Sequence, residues 1–147
     1  MHSKKSRTFL SLIDQLHPML EWIRQGLVAA GFDSKVGGRV ELASEEILVN
    51  IIQHAYKGKP GALGTIEIGI RVFPKDRIEI EIKDLGPPFN PLEEKEALDL
   101  NASLDERREG GLGIYFVRNM MDEVRYLRQG EANFLTLVKF IHSSQKR

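Results

Sequence analysis

The segment SEEILVNIIQHAY, residues 44–56, carries Glu46, Asn50 and His54 four residues apart. On a helix, at about 100° per residue, the three fall within about 80° of one another, and Gln53 joins them. They form a ridge of hydrogen-bonding side chains that includes a carboxylate and an imidazole, types that serve acid–base chemistry. Ile47, Leu48, Val49, Ile51, Ile52 and Ala55 fill the other side, so the segment is an amphipathic helix with a narrow polar stripe. Such a stripe is also what an ordinary solvated face looks like.

A second candidate lies in RIEIEIKD, residues 77–84, where Ile78, Ile80 and Ile82 share one parity and Asp84 has the same parity. If the strand runs to its end, the Asp84 carboxylate looks into the dry side and needs a donor to offset several kcal/mol of desolvation. A ligand amine is one such donor. If the strand stops at Lys83, Asp84 simply opens the turn DLGPPF, a common place for aspartate. Gly86 in that turn lets backbone approach a ligand closely, while Pro87 and Pro88 stiffen the path to Phe89.

The third is EGGLGIYF, in which Gly110, Gly111 and Gly113 lead into an apolar helix beginning near Leu112. Backbone N–H groups at such a start can point at phosphate oxygens, and the helix dipole favours an anion. The glycines are equally those of a tight turn. No βαβ unit surrounds them and no Gly-Lys-Ser/Thr follows, so they are neither a dinucleotide fingerprint nor a P-loop.

These candidates need elements to position them. RTFLSLI (7–13) reads as a short strand, QLHPMLEWIRQGLVAAGF as a helix stopping at Gly31, and the next segment as a helix entered through Gly37-Gly38 and ended at Gly58. TIEIGIRV (65–72) and RIEIEIKD (77–84) alternate strictly about FPKD, a hairpin with one dry and one wet face. Residues 90–110 are charged with little β pattern and read as a mobile loop with one helical turn, before the helix of GGLGIYFVRNMMDEV and a closing hairpin about QGEAN. The order predicts an α+β fold, a two-layer sandwich of a mostly antiparallel sheet with helices on one face. A chain of 147 residues without linker or repeat is read as one domain, 1–147.

With 21 basic and 21 acidic residues the chain is formally neutral, which disfavours nucleic acid as a direct partner. No apolar run is long enough to span a membrane and the N-terminus lacks a signal-peptide core, so a soluble cytoplasmic protein is expected. The absence of cysteine excludes disulfides, thiolate catalysis and thiolate-bound metals.

Taken jointly, the order is Glu-x-x-x-Asn on a helix, Asp-x-Gly-x-x-Phe after a strand, and Gly-x-Gly opening a helix. It resembles the N, G1 and G2 boxes of the GHKL, or Bergerat-fold, ATP-binding domain shared by gyrase, heat-shock chaperones, histidine kinases and MutL. Within that superfamily the chain is most similar to the small bacterial anti-sigma-factor serine kinases of the RsbW and SpoIIAB type. SEEILVNIIQHAY, DLGPPFNP and REGGLGIYFVRNMMDEVRY carry the likeness.

The resemblance implies ATP/ADP and Mg²⁺ as ligands, with Asn50 coordinating the metal and Glu46 acting as general base toward an attacking hydroxyl. It implies that Asp84 accepts from the adenine amino group, with Gly86 and Phe89 beside the base. Gly110, Gly111, Leu112 and Gly113 would line the phosphates. Residues of about 90–110 would form a flexible ATP lid from which Arg107 or Arg108 reaches the γ-phosphate, although either arginine also suits a solvated lid surface. His54 is left between a phosphate or partner contact and ordinary surface. His17 is not read as a phosphoacceptor, because the acidic neighbour and dimerising hairpin of a histidine kinase are missing.

The function implied is a serine/threonine protein kinase that is also an anti-sigma factor, binding an RNA polymerase sigma factor and phosphorylating a STAS-type anti-anti-sigma protein. A homodimer is implied too, with the apolar run Phe9 to Ile13 near its interface. The rival readings are a nucleotide-dependent binding module without transfer and a stand-alone ATPase.

Overall fold

The structure, a computed structural model, describes residues 3–57, 64–93 and 112–141. Strand β1 (Ser3–Leu10) is followed by helices α1 (Leu16–Ala29) and α2 (Ser34–His54), strands β2 (Thr65–Phe73) and β3 (Arg77–Asp84), helix α3 (Leu112–Met120), and strands β4 (Glu123–Gln129) and β5 (Ala132–Phe140). The strands form one antiparallel sheet in the order β1-β2-β3-β5-β4.

The isoleucine alternation builds the core. Ile66, Ile68 and Ile70 of β2 and Ile78, Ile80 and Ile82 of β3 are all buried, as are Leu135 and Leu137 of β5. Against them lie Met19, Ile23 and Leu27 of α1 and Val40, Ala43, Ile47, Leu48 and Ile51 of α2, recurring at the three- and four-residue intervals of a helix face. Each fully buried aliphatic side chain contributes about 1.5–3 kcal/mol, so this interface supplies the main driving force for the two-layer arrangement.

The opposite sheet face carries no helix among the described residues and is salted with charge: Lys4 pairs with Glu81 at 3.7 Å and Lys83 with Glu67 at 3.9 Å. Glu79 there is buried beneath arginines, taking Arg77 Nε at 2.7 Å with Arg125 at 3.6 Å and Arg71 at 3.8 Å. A carboxylate so enclosed is tolerated because several guanidinium groups meet it.

Two boundaries differ from the sequence reading. The first strand is Ser3–Leu10 rather than 7–13, because backbone pairing from Ser3↔Val72 to Leu10↔Thr65 defines it. After Leu10 the chain turns into a 3₁₀ turn, Ile13–Gln15. Of the run Phe9 to Ile13, Phe9 is buried in the core, whereas Leu10, Leu12 and Ile13 are exposed.

Helix α2 does not enter through Gly37-Gly38. It starts at Ser34, capped by Asp33, whose Oδ1 accepts from Val36 N at 2.8 Å. The glycines sit inside the helix, at a propensity cost of roughly 1 kcal/mol each that the buried face beyond them offsets. The helix ends at His54, and Gly58 lies outside the described residues.

Candidate functional site

The buried face of α2 fixes the direction of its polar stripe. With Ile47, Leu48 and Ile51 locked against the sheet, Glu46, Asn50 and His54 project along the flank, Glu46 and His54 exposed and Asn50 half-buried. None of the three side chains bonds to another described residue. Asn50 and His54 form one wall of a cavity of about 260 Å³ whose floor includes Ile47, Ile51 and Leu135 and whose other walls include Asp84, Phe89, Tyr126 and Asn133. An apolar floor with a few convergent polar groups is the usual make-up of a small-ligand site.

Asp84 belongs to β3 to its end, paired with Ile66 on one side and Asn133 on the other, and is 5% exposed. Its parity therefore does turn it to the helix side. Protein donors meet that need in part: Oδ1 accepts from Gly86 N at 2.8 Å and Asn133 Nδ2 at 3.1 Å. Oδ2 accepts nothing from the described residues. The site thus presents one committed and one available carboxylate oxygen.

Gly86 is also required by packing within the chain. A Cβ there would stand 2.6 Å from the carbonyl oxygen of Ala55 and 2.9 Å from its Cβ, so the missing side chain lets the turn press against the end of α2. Gly86 is not a wall of the cavity. The turn is held further by Arg128 Nη1 donating to Gly86 O at 2.7 Å and by Leu85 N donating to Tyr56 Oη at 2.9 Å. Tyr56 Oη in turn donates to Thr65 O at 2.5 Å, tying the end of α2 to both strands of the hairpin.

Gly113, in the first turn of α3, faces Glu46: a Cβ on it would lie 2.6 Å from Glu46 Oε2. Both residues stand beyond the cavity walls, beside the end that Asn50 occupies, one turn along α2 from Glu46. Gly110, Gly111, Arg107 and Arg108 lie outside the described residues, as does the segment expected to be a lid after its 3₁₀ start at Pro91–Glu93; of Leu112 only the helical backbone is described. No group of three or more His, Asp or Glu among the described residues gathers to hold a metal ion. The Asn50 amide oxygen could offer one position to a divalent cation, leaving the rest to ligand oxygens and water, which suits magnesium's habit of taking few protein ligands.

Asn133, Tyr126, Tyr56 and Arg128 went unmarked in the sequence reading. Asn133 was detectable by the signal that marked Asp84, since ANFLTLVKF gives it the parity of Leu135 and Leu137 on the dry side. Tyr56 and Arg128 carry no such signal, because their partners are backbone groups of other segments.

Comparison with known proteins bears on the family and the fold. Residues 9–139 match the family described as the histidine kinase-like ATPase domain. The serine-protein kinase RsbW of Staphylococcus epidermidis is 32% identical over 130 residues, 82% of this chain and 80% of that protein. RsbW of Bacillus pumilus is 33% identical over 106 residues, 70% of this chain and 64% of that protein, so this match spans less than two thirds of its length. Among solved structures, the RsbU and RsbW domains of a Mycobacterium tuberculosis protein superpose with a TM-score of 0.66 at 14% identity, covering 94% of this chain and 32% of that one. The histidine kinase domain of a blue-light-activated kinase from Erythrobacter litoralis gives 0.56 at 19% identity, covering 89% and 63%. Both support the fold alone.

Proposed function

The chain belongs to the histidine kinase-like ATPase domain family, and from that premise we propose that it is a single-domain, ATP- and Mg²⁺-dependent serine/threonine protein kinase acting as an anti-sigma factor. The observation that carries the proposal is the meeting of three distant segments at one place. Asp84 offers a carboxylate oxygen with no partner among the described residues, Asn50 an amide on the cavity wall and Glu46 a carboxylate against Gly113, both likewise without a side-chain partner among the described residues. The relatives named serine-protein kinase add direction to that reading.

In this mechanism Asp84 Oδ2 accepts from the amino group of adenine, and Phe89 covers the ring. Asn50 offers its amide oxygen to the cation, which when bound offsets charge on the phosphates. Glu46 accepts the proton of a serine or threonine hydroxyl on the partner protein. That hydroxyl oxygen forms a bond to the γ-phosphorus as the bond from phosphorus to the β,γ-bridging oxygen breaks, and ADP leaves. The phosphoryl group adds close to two negative charges to the partner's surface, which weakens a close interface.

The acceptor is a STAS-type anti-anti-sigma protein, and the competing partner is a sigma factor. A homodimer and a cytoplasmic location go with this reading; no helix among the described residues is long and apolar enough to cross a membrane. The decisive experiment incubates the chain with ATP, Mg²⁺ and a STAS protein encoded beside it and weighs the products. A gain of one phosphoryl mass on the STAS protein is expected. Binding of the partner without that gain would reduce the protein to a nucleotide-dependent binding module, and release of phosphate without it to an ATPase.

A further inference from the structure

Asn133 stands in register opposite Asp84, β5 against β3. Its Nδ2 donates to Asp84 Oδ1 at 3.1 Å, to Pro87 O at 2.9 Å and to Gly86 O at 3.4 Å. Its Oδ1 accepts from Tyr126 Oη at 2.5 Å and from Phe89 N at 3.3 Å. The amide cannot be turned over: the Phe89 N–H can only donate and the two backbone carbonyls can only accept, so oxygen and nitrogen each have one permitted side. Asp84 is constrained in consequence. Rotating its carboxylate would give up the bonds that Oδ1 takes from Asn133 and Gly86 N.

We propose that Asn133 is the positioning residue that sets the purine selectivity of this cavity, by holding Asp84 Oδ1 so that Oδ2 is presented as a single fixed acceptor. The proposal rests on the nucleotide-binding reading above and deepens it. A fixed anionic acceptor selects a ring edge bearing an amino group and rejects one bearing a carbonyl, whose lone pairs it repels. Tyr126 acts at one remove, since its hydroxyl holds the Asn133 oxygen. Asn133 lies in β5, outside all three sequence motifs, and Tyr126 in β4 is the last residue of the third.

ATP and inosine triphosphate differ only along that ring edge, where in inosine a carbonyl replaces the amino group and N1 becomes an N–H donor, so their affinity ratio reads where the fixed acceptor is aimed. Calorimetric titration of the full chain with ATP, inosine triphosphate and inorganic triphosphate is expected to show the wild type favouring ATP over the inosine nucleotide by about 10-fold or more. Asn133→Ala should narrow that ratio by about 5- to 10-fold with inorganic triphosphate affinity unchanged, because it removes a hydrogen bond to a charged group. Tyr126→Phe should narrow it less, and should add nothing in the Asn133→Ala background, since the two act through one link. A merely structural Asn133 would weaken all three ligands together and leave the ratio where it was, which overturns the proposal. Should Asn133→Ala not fold, Tyr126→Phe alone decides it, an unchanged ratio again overturning it. Equal wild-type affinity for the two nucleotides overturns the selectivity proposal only, whereas no nucleotide binding at all overturns the reading beneath it.

Discussion

Glu46 Oε2 lies 2.6 Å from the point where a Cβ on Gly113 would stand, so the carboxylate of α2 occupies the space that the glycine of α3 leaves open. The colliding atom is the far end of a flexible side chain. Gly113→Ala should therefore fold normally and displace Glu46. Its phosphoryl transfer is expected to fall toward that of Glu46→Gln, roughly 10²-fold or more below wild type, with ATP affinity nearly unchanged in Glu46→Gln. Single-turnover transfer measured beside equilibrium binding checks this; wild-type transfer by Glu46→Gln removes Glu46 from the mechanism, and wild-type transfer by Gly113→Ala shows that Glu46 is not displaced.

Gly86 offers the contrasting case, since a Cβ there meets backbone and not the tip of a side chain. Gly86→Ala must push the turn off Ala55 or shift the end of α2, at about 1–3 kcal/mol. A lower urea midpoint with an unchanged slope is expected. An unaltered midpoint would mean that the turn does not press on α2.

Asp84→Asn tests the committed oxygen. Gly86 N and Asn133 Nδ2 are both donors, so an amide at position 84 must turn its oxygen to them and its NH₂ to the cavity. ATP affinity should drop by on the order of 1–3 kcal/mol, and inosine triphosphate should gain relative to it. Calorimetry with the two nucleotides reads both effects, and an unchanged ATP affinity would make Asp84 only a structural end to β3.

Asn50→Ala should weaken binding of the magnesium–ATP complex far more than binding of ATP in the presence of a chelator. Titrations with and without Mg²⁺ check it; a metal dependence equal to wild type would take Asn50 out of the metal's coordination.

Tyr56→Phe keeps the ring that packs at Gly64 and removes only the hydroxyl shared by Leu85 N and Thr65 O. A loss of about 1 kcal/mol in stability is expected, read as a shift of the thermal midpoint. No shift would show that water replaces the hydroxyl fully.

Much of this protein was legible in the chain because two periods run through it cleanly. The isoleucine alternation of β2 and β3 dictated a half-buried hairpin, and the three- and four-residue spacing of Ile47, Leu48 and Ile51 dictated which side of α2 is dry, and so which way Glu46, Asn50 and His54 face. The same logic marked Asp84 as a polar group on the dry parity. Periodicity speaks only of one segment at a time, however. That Asn133 stands opposite Asp84 follows from the pairing of β3 with β5 across 49 residues. That Gly113 makes room for Glu46, and Gly86 for Ala55, follows from how closely helices and turn pack. Strand order and interhelical approach are settled by the joint burial of all the apolar faces. The sequence therefore determined which side chains turn inward or outward, and the tertiary structure alone decided which of them meet.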